Sequence, residues 1–105
     1  MVKALLLGKY HSHALKGLIS GSDRKAAVEA MMNAVGGSVH SIEFVRGSFD
    51  VVVEVSAPSQ EALLGLTTAL KASGAFETAE YLEYLNLEPI LAQARKVASA
   101  YTPAG

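Results

Sequence analysis

The sequence predicts an α+β domain in which helices cover one face of a four-stranded antiparallel sheet. Three observations lead to this prediction. The chain has 105 residues, about one domain's worth. Half of these residues are apolar and 18% are charged, which excludes a disordered chain. Apolar runs of strand length alternate with segments of helical spacing, and one pair of strand runs is separated only by Gly47-Ser48.

Composition also excludes several function classes. The chain has no cysteine, which rules out a disulfide framework, a thiolate nucleophile and cysteine zinc sites. A net charge of −1 provides no overall field for nucleic acid or an anionic membrane. The apolar run Ala4–Leu7 is shorter than the roughly 7–15 residues of a signal-peptide core. We therefore expect a soluble cytoplasmic protein with no cofactor and with neither nucleic acid nor membrane as partner.

The first segment, residues 2–10, is typical of a strand. It is leucine-rich, and lysines stand at both ends of an apolar centre, which predicts a strand covered on both faces. Residues 11–21 contain Gly17 and Gly21, which interrupt a helical pattern. We predict a loop there, with at most one helical turn.

Three later segments are predicted as helices. Residues 22–36 begin at the capping Ser22 and end at a glycine pair. Residues 59–73 begin at the capping Ser59. Residues 88–101 carry a proline in the first turn, where proline is tolerated. The apolar residues of the three helices recur at helical spacing: Ala27, Val28, Met31 and Val35; Leu63, Leu66 and Leu70; Ile90, Leu91, Ala94, Val97, Ala98 and Tyr101.

The clearest pattern lies in residues 38–46 and 49–57, which predict a hairpin. Glycine at the first position of a two-residue loop fits a type II′ turn, and the turn fixes the register. A slip of one residue would move each apolar side chain to the opposite face. One face then pairs Arg46 with Phe49, Phe44 with Val51, Ile42 with Val53 and His40 with Val55, and the other pairs Val45 with Asp50, Glu43 with Val52 and Ser41 with Glu54.

Residues 75–85 predict the last strand, with a bulge near Ala79. The order βαββαβ is that of the ferredoxin-like plait, here a single domain over 1–105 with a core at about 2–85, an added C-terminal helix and a frayed tail at 102–105. Two helices cover only one face of the sheet. The other face carries Val45, Val52 and the apolar residues of the first strand. Such a half-apolar face calls for a partner, and a second subunit can supply it sheet to sheet. We expect a homodimer or a higher even oligomer.

Several short motifs occur together over about residues 2–85: Gly47-Ser48-Phe49-Asp50 at the hairpin, Gly36-Gly37 after the first helix, Ala57-Pro58 before the next, and Tyr10 at the end of the first strand. Their order and spacing resemble the GYD-domain family, whose motif is Gly-x-Tyr-Asp. The resemblance implies ferredoxin-like subunits whose sheet faces pair in a dimeric α/β barrel, and it implies no defined activity. Phe49 stands where the family has tyrosine, and His11-Ser12-His13-Ala14 stands where it tends to carry Thr-x-Gln-Gly.

Asp50 is the candidate catalytic residue. The predicted register places it on the open sheet face with Glu43 and Glu54, and clustered carboxylates raise one another's pKa and can act as a general base. The alternative is that Asp50 serves the hairpin by hydrogen-bonding backbone, or by pairing with Lys3 or Lys9. We favour this alternative, because acids next to glycine turns commonly stabilise the turn.

Histidines and tyrosines supply weaker candidates. His11 and His13 point to one side of an extended segment, and with His40 they could bind a metal. No third ligand lies at a telling spacing, so we expect solvated loop residues and no metal. The tyrosines could line a pocket for a planar ligand, although packing at edges and interfaces is the simpler interpretation; they are Tyr10, Tyr81, Tyr84 and Tyr101.

Three function classes stay open. The first is a module that binds a small molecule in a cavity between paired sheets, and its candidate binding residues are Tyr10, Glu43, Phe49 and Glu54. The second is a cofactor-independent enzyme of the dimeric α/β-barrel type, with Asp50 as general base. The third is a purely structural or interaction dimer. An enclosed, partly polar cavity would favour the first two classes, and a flat, dry seam would favour the third.

Overall fold

The computed structural model describes residues 1–104 as one antiparallel four-stranded sheet with helices on one face. Its sheet order confirms the ferredoxin-like arrangement. Gly105, the end of the predicted tail, lies outside the described residues. The elements are β1 (Val2–Tyr10), α1 (Ser12–Ile19), α2 (Arg24–Ala34), β2 (Ser38–Phe44), β3 (Val51–Ala57), α3 (Gln60–Ala72), β4 (Phe76–Glu83) and α4 (Leu87–Ala100), with sheet order β2-β3-β1-β4.

The core lies between the sheet and the helices, because side chains alternate between the two faces of each strand. Along β3, every second residue from Val51 to Ala57 is buried, and the residues between them are partly exposed. Along β1 the same alternation leaves Lys3 and Lys9 exposed. Within one chain the helices cover only one face of β1 and leave Leu5 and Leu7 partly exposed on the other, so coverage of both faces stays a prediction that depends on a partner. The buried cluster is Ala4, Leu6, Tyr10, Met32, Val51, Val53, Val55, Ala57, Leu63 and Leu66.

The segment predicted as a loop is a helix, α1. Gly17 lies inside this eight-residue helix and is tolerated there. The helix ends at Ile19, and Gly21, which follows shortly after, has a φ of +94°. The backbone N–H of His11 donates to the Ala75 carbonyl oxygen over 2.7 Å and so anchors the start of α1 to the chain before β4. Three helices, rather than two, therefore contribute side chains to the helix-covered face of the sheet.

The other helices keep their predicted positions with one change of cap. The carboxylate of Asp23, not Ser22, accepts the N-terminal bond of α2, from the Ala26 N–H over 3.1 Å. Asp23 caps because it is the residue next to the first helical residue. The predicted cap of α3 is confirmed, since the Ser59 hydroxyl accepts from the Ala62 N–H over 3.2 Å.

The predicted hairpin register is confirmed from Ser41 to Phe44, and the Val45 N–H donates to the Asp50 carbonyl oxygen over 2.9 Å, as the predicted pair of these residues requires. It fails at His40. Val39, not His40, pairs with Val55, because a bulge inserts an extra residue into β2. The predicted two-residue turn is instead a loop over 45–50, in which Arg46 and Phe49 do not pair. The Asp50 N–H donates to the Gly8 carbonyl oxygen of β1 over 2.8 Å.

The irregularity of the last strand also lies away from its predicted place. β4 pairs regularly with β1 through Ala79, and the register shifts only between Lys9 and Tyr10, where Tyr10 takes Phe76 as its partner. The bulge therefore lies at the beginning of β4 rather than near Ala79.

The C-terminal helix α4 extends away from the rest of the domain. None of its residues is buried, and it packs extensively on no other element. The radius of gyration is 17.5 Å and the longest dimension 59 Å, whereas a compact domain of this length has a radius of gyration of about 13 Å. None of the helices within residues 1–104 is long and apolar enough to cross a membrane.

Candidate functional site

The sheet surface turned away from α2 and α3, here called the open face, is the candidate site. Its centre is apolar. Leu5 lies between Glu54 of β3 and Leu82 of β4, and the next pair along β1 joins Leu7 to Val52. These side chains are partly or largely exposed, and Leu82 is 57% exposed. Exposed apolar patches on protein surfaces are typical of interaction sites when they are large, which makes this face the candidate.

A polar network lies at one end of the open face. The Lys3 ammonium is 3.6 Å from Oε1 of Glu54, and the Tyr84 hydroxyl donates to Oε2 of the same carboxylate over 3.2 Å. Lys3 Nζ also lies 5.3 Å from the centre of the Tyr84 ring, within cation–π range. The network therefore places a cation, a carboxylate and a phenol on the same sheet face as the apolar patch.

The surroundings of Tyr84 change the pKa of its phenol. Desolvation, the hydrogen bond to Glu54 and the negative charge of that carboxylate all raise the pKa of Tyr84. The hydroxyl therefore keeps its proton at neutral pH and acts as a hydrogen-bond donor.

Asp50 lies at the other end of β3, where its side chain accepts a hydrogen bond from the backbone of β1. Its Oδ2 accepts a hydrogen bond from the Tyr10 N–H over 2.9 Å. Neither lysine considered for it is its partner, since Lys3 pairs with Glu54 and Lys9 lies 3.9 Å from Glu77. Four residues of extended strand separate Asp50 from Glu54, about 13 Å. This geometry favours the backbone-holding interpretation, and a catalytic role for Asp50 stays a hypothesis.

Tyr10 lies on the other side of the sheet from the open face. It is 4% exposed, and its ring stacks on Phe76 with 4.8 Å between centroids. Burial raises the pKa of its phenol, the Arg24 guanidinium opposes this and the Asp50 carboxylate adds to it. Tyr10 helps to line an internal cavity of about 30 Å³ between the sheet and the helices. That volume holds about one water molecule and is far below the 300 Å³ or so of a small-molecule site.

Four of the five predicted site residues thus separate into two pairs. Glu43 and Glu54 lie on the open face on neighbouring strands, while Tyr10 and Asp50 meet at the far end of β1 through their hydrogen bond. Phe49 is half-buried in the loop 45–50. The roles of Lys3 in the network and of Leu82 in the patch were missed by sequence reasoning. The alternation along β4, continued to Tyr84, places Leu82 and Tyr84 on one face and was the available signal.

The three histidines do not come together in one cluster. His11 and His13 lie at the start of α1 with ring centroids 5.2 Å apart, and His40 Nε2 lies 2.6 Å from the Ser56 hydroxyl oxygen, within hydrogen-bonding distance. Across residues 1–104, no three histidine or carboxylate side chains lie close enough together to hold a metal ion. That no metal is required stays a prediction.

The fold and the open face define a ferredoxin-like α+β domain with one uncovered sheet surface. The GYD domain family model matches residues 5–92, most of the chain. The protein therefore belongs to the GYD domain family.

Solved structures support the fold. TTHA0845 from Thermus thermophilus is 20% identical, with a TM-score of 0.55 over 82% of this chain and 95% of that chain. FFRP-DM1 is 17% identical, with a TM-score of 0.54 over 81% of this chain and 100% of that chain. The hypothetical protein PHS023 from Pyrococcus horikoshii is 16% identical, with a TM-score of 0.51 over 82% and 92% of the two chains. No curated protein matches the sequence.

Proposed function

We propose that this GYD-domain protein is a homodimeric, cytoplasmic binding module that holds a small molecule between two paired open faces. The observation that carries the proposal is the open face itself, where an apolar patch adjoins the network of Lys3, Glu54 and Tyr84. The absence of cysteine fits a reducing compartment.

Pairing of the open faces follows from the cost of leaving the patch in water. Each square ångström of apolar surface removed from water contributes about 25 cal/mol. A second copy offers the same patch, and a two-fold axis places identical surfaces against each other. The network at the end of the face then lies at the rim of the seam, where an unfilled space can hold a ligand.

The chemistry of the rim sets the class of ligand. The apolar patch favours a largely apolar molecule. The charged and phenolic groups favour a carbonyl, hydroxyl or carboxylate on that molecule, because Lys3 and Tyr84 donate hydrogen bonds and Glu54 accepts them. Glu43 lies on the same face and adds a second carboxylate on the β2 side.

Light scattering at micromolar concentration tests the assembly. The wild type should have at least twice the 11.0 kDa mass of one chain. Leu82→Lys should lower that mass, because it places a charge in the apolar seam. The matched control is Leu64→Lys on α3, a leucine of similar exposure at 53% on the helix side of the protein. A monomeric wild type, or equal effects of the two variants, would contradict the proposal.

Native mass spectrometry of untagged protein tests the ligand. The dimer should carry a bound small molecule, and Glu54→Gln or Tyr84→Phe should reduce its occupancy while the dimer persists. A dimer that carries no bound molecule would instead support the purely structural class.

The enzymatic alternative, with Asp50 as general base, has weaker support. The Asp50 carboxylate already accepts the Tyr10 N–H and lies about 13 Å from Glu54 along the strand. Under this alternative Asp50→Asn would abolish turnover of the bound molecule at unchanged stability.

A further inference from the structure

We propose that α4 packs across a second copy of this chain and completes the interface of the dimer. The inference rests on the proposed pairing of the open faces and adds a second contact region to it. Its starting point is an unpartnered apolar helix surface next to the open face.

The helix carries its apolar residues on one side. At about 100° per residue, these side chains cover an arc of about 120°, which is the width of a core-facing helix surface. Glu88, Arg95 and Lys96 lie outside that arc. The apolar residues, here called the α4 stripe, are Leu87, Ile90, Leu91, Ala94, Val97, Ala98 and Tyr101.

Nothing within residues 1–104 buries the α4 stripe. Val97 and Tyr101 are each 65% exposed, and Ile90 is 42% exposed. A helix of 14 residues without packing is marginal in water, because helix stability in proteins comes mainly from burial of an apolar face. The α4 stripe therefore requires an apolar surface outside its own domain.

The interface area points to a second copy as that surface. Four strands spaced about 4.8 Å apart and about 23 Å long give the open face roughly 440 Å² per subunit. A specific dimer buries about 800 Å² per partner. A helix about 21 Å long and 10 Å wide covers about 210 Å² of the surface on which it packs. Because of the two-fold axis, each subunit buries its own α4 against the partner and is itself covered by the partner's α4, which adds about 420 Å² per subunit. With α4 included, the interface reaches roughly 850 Å² per subunit, which is the size of a stable dimer.

The apolar surface is also continuous from the open face to α4. Residues 84–86 alone connect β4 to the helix. Leu82, Tyr84, Leu85 and Leu87 are each about half exposed or more and lead from the sheet to the α4 stripe. A partner seated on the open face is therefore positioned to contact α4 as well.

The test compares matched double variants of the full chain. Ile90→Gln with Val97→Gln removes two members of the α4 stripe without touching the core of the domain. Glu88→Gln with Lys96→Gln changes two residues outside the apolar arc and serves as the control. Sedimentation velocity over a concentration series gives the Kd of the dimer. We expect the stripe variant to raise the Kd roughly tenfold or more and the control to leave it within about twofold.

Comparison with Leu82→Lys separates this inference from the sheet pairing. If both the stripe variant and Leu82→Lys weaken the dimer, both proposals are supported. If only Leu82→Lys weakens it, the α4 contact is refuted and the sheet pairing stands. If only the stripe variant weakens it, α4 binds the second copy and the sheet pairing is refuted. A monomeric wild type refutes the α4 contact, and so does a control variant whose dimer Kd rises as much as that of the stripe variant. Circular dichroism verifies that each variant keeps its sheet.

Discussion

Replacing Asp50 measures whether this carboxylate holds the end of the sheet. Asp50→Ala removes the acceptor of the Tyr10 N–H, in a bond that is partly buried. A buried donor left without a partner costs about 1–3 kcal/mol. We therefore expect Asp50→Ala to lower the free energy of unfolding by about 2 kcal/mol. Asp50→Asn keeps an oxygen that can accept the bond and loses only its charge, so we expect a loss of about 1 kcal/mol.

Urea unfolding followed by circular dichroism at pH 7 measures both changes. With a urea m-value of about 2 kcal/mol/M, Asp50→Ala should lower the midpoint by about 1 M, and Asp50→Asn by about half as much. Glu29→Ala removes an exposed carboxylate of α2 and is the control, with an expected change within about 0.5 kcal/mol.

One result would refute this reasoning. If Asp50 belonged to a crowded carboxylate cluster with Glu43 and Glu54, removing its charge would relieve repulsion, and Asp50→Asn would be as stable as the wild type or more stable. An Asp50→Asn protein with an unchanged or higher midpoint, together with lost ligand occupancy, would move Asp50 from the structural role to the functional one.

Three further predictions concern the core, the pH response and metals. Gly8→Ala should cost on the order of 1–3 kcal/mol of unfolding free energy, because its Cβ would lie 2.7 Å from Cε1 of Phe76. Gly65→Ala, whose Cβ meets nothing within 4 Å on α3, should instead gain about 0.5–1 kcal/mol, and equal losses in the two denaturant curves would contradict this. Burial raises the pKa of Tyr10 above its ordinary 10.0, so the folded state holds the phenol proton more tightly; the resulting stability is fully present below pH 10.0 and is lost as the pH rises through the folded-state pKa. Tyr10→Phe should flatten that decline in unfolding curves, and an unchanged slope would disprove it. Elemental analysis of untagged protein should find less than stoichiometric zinc, copper, iron and nickel, and a stoichiometric metal would overturn the prediction.

The hairpin shows what alternation in a sequence can determine. The pairing of Ile42 with Val53 and of Phe44 with Val51 was predictable, because a shift of one residue would place their side chains on the wrong face. The bulge at His40 was not predictable, since one inserted residue leaves the alternation intact on either side of it. The eight-residue helix α1 was missed because Gly17 weakens the local helical pattern, whereas packing of Leu18 against the core overrides that weakness.

The candidate site depended on contacts between distant segments. Lys3 meets Glu54 only because β1 pairs with β3, and Tyr84 reaches both because β4 lies on the other side of β1. No local pattern in the sequence gives either register. The same holds for the bond from the Tyr10 N–H to Asp50, which joins residues 40 positions apart. The face of each strand and the ferredoxin-like arrangement were accessible from the sequence, whereas the registers of β1 with β3 and β4 were not.

The central place of β1 in the sheet sets the order in which the chain can fold. β1 pairs Val2 with Ala57 and Ala4 with Glu83, so its two neighbours come from the middle and the end of the sequence. Such non-local pairing carries a large loop-closure entropy and slows folding. The hairpin of β2 and β3 can close early, whereas during synthesis the leucine-rich β1 waits for its second neighbour until β4 has been made. Until then β1 is an apolar strand with one unpaired edge, and this segment is where aggregation of the nascent chain should begin.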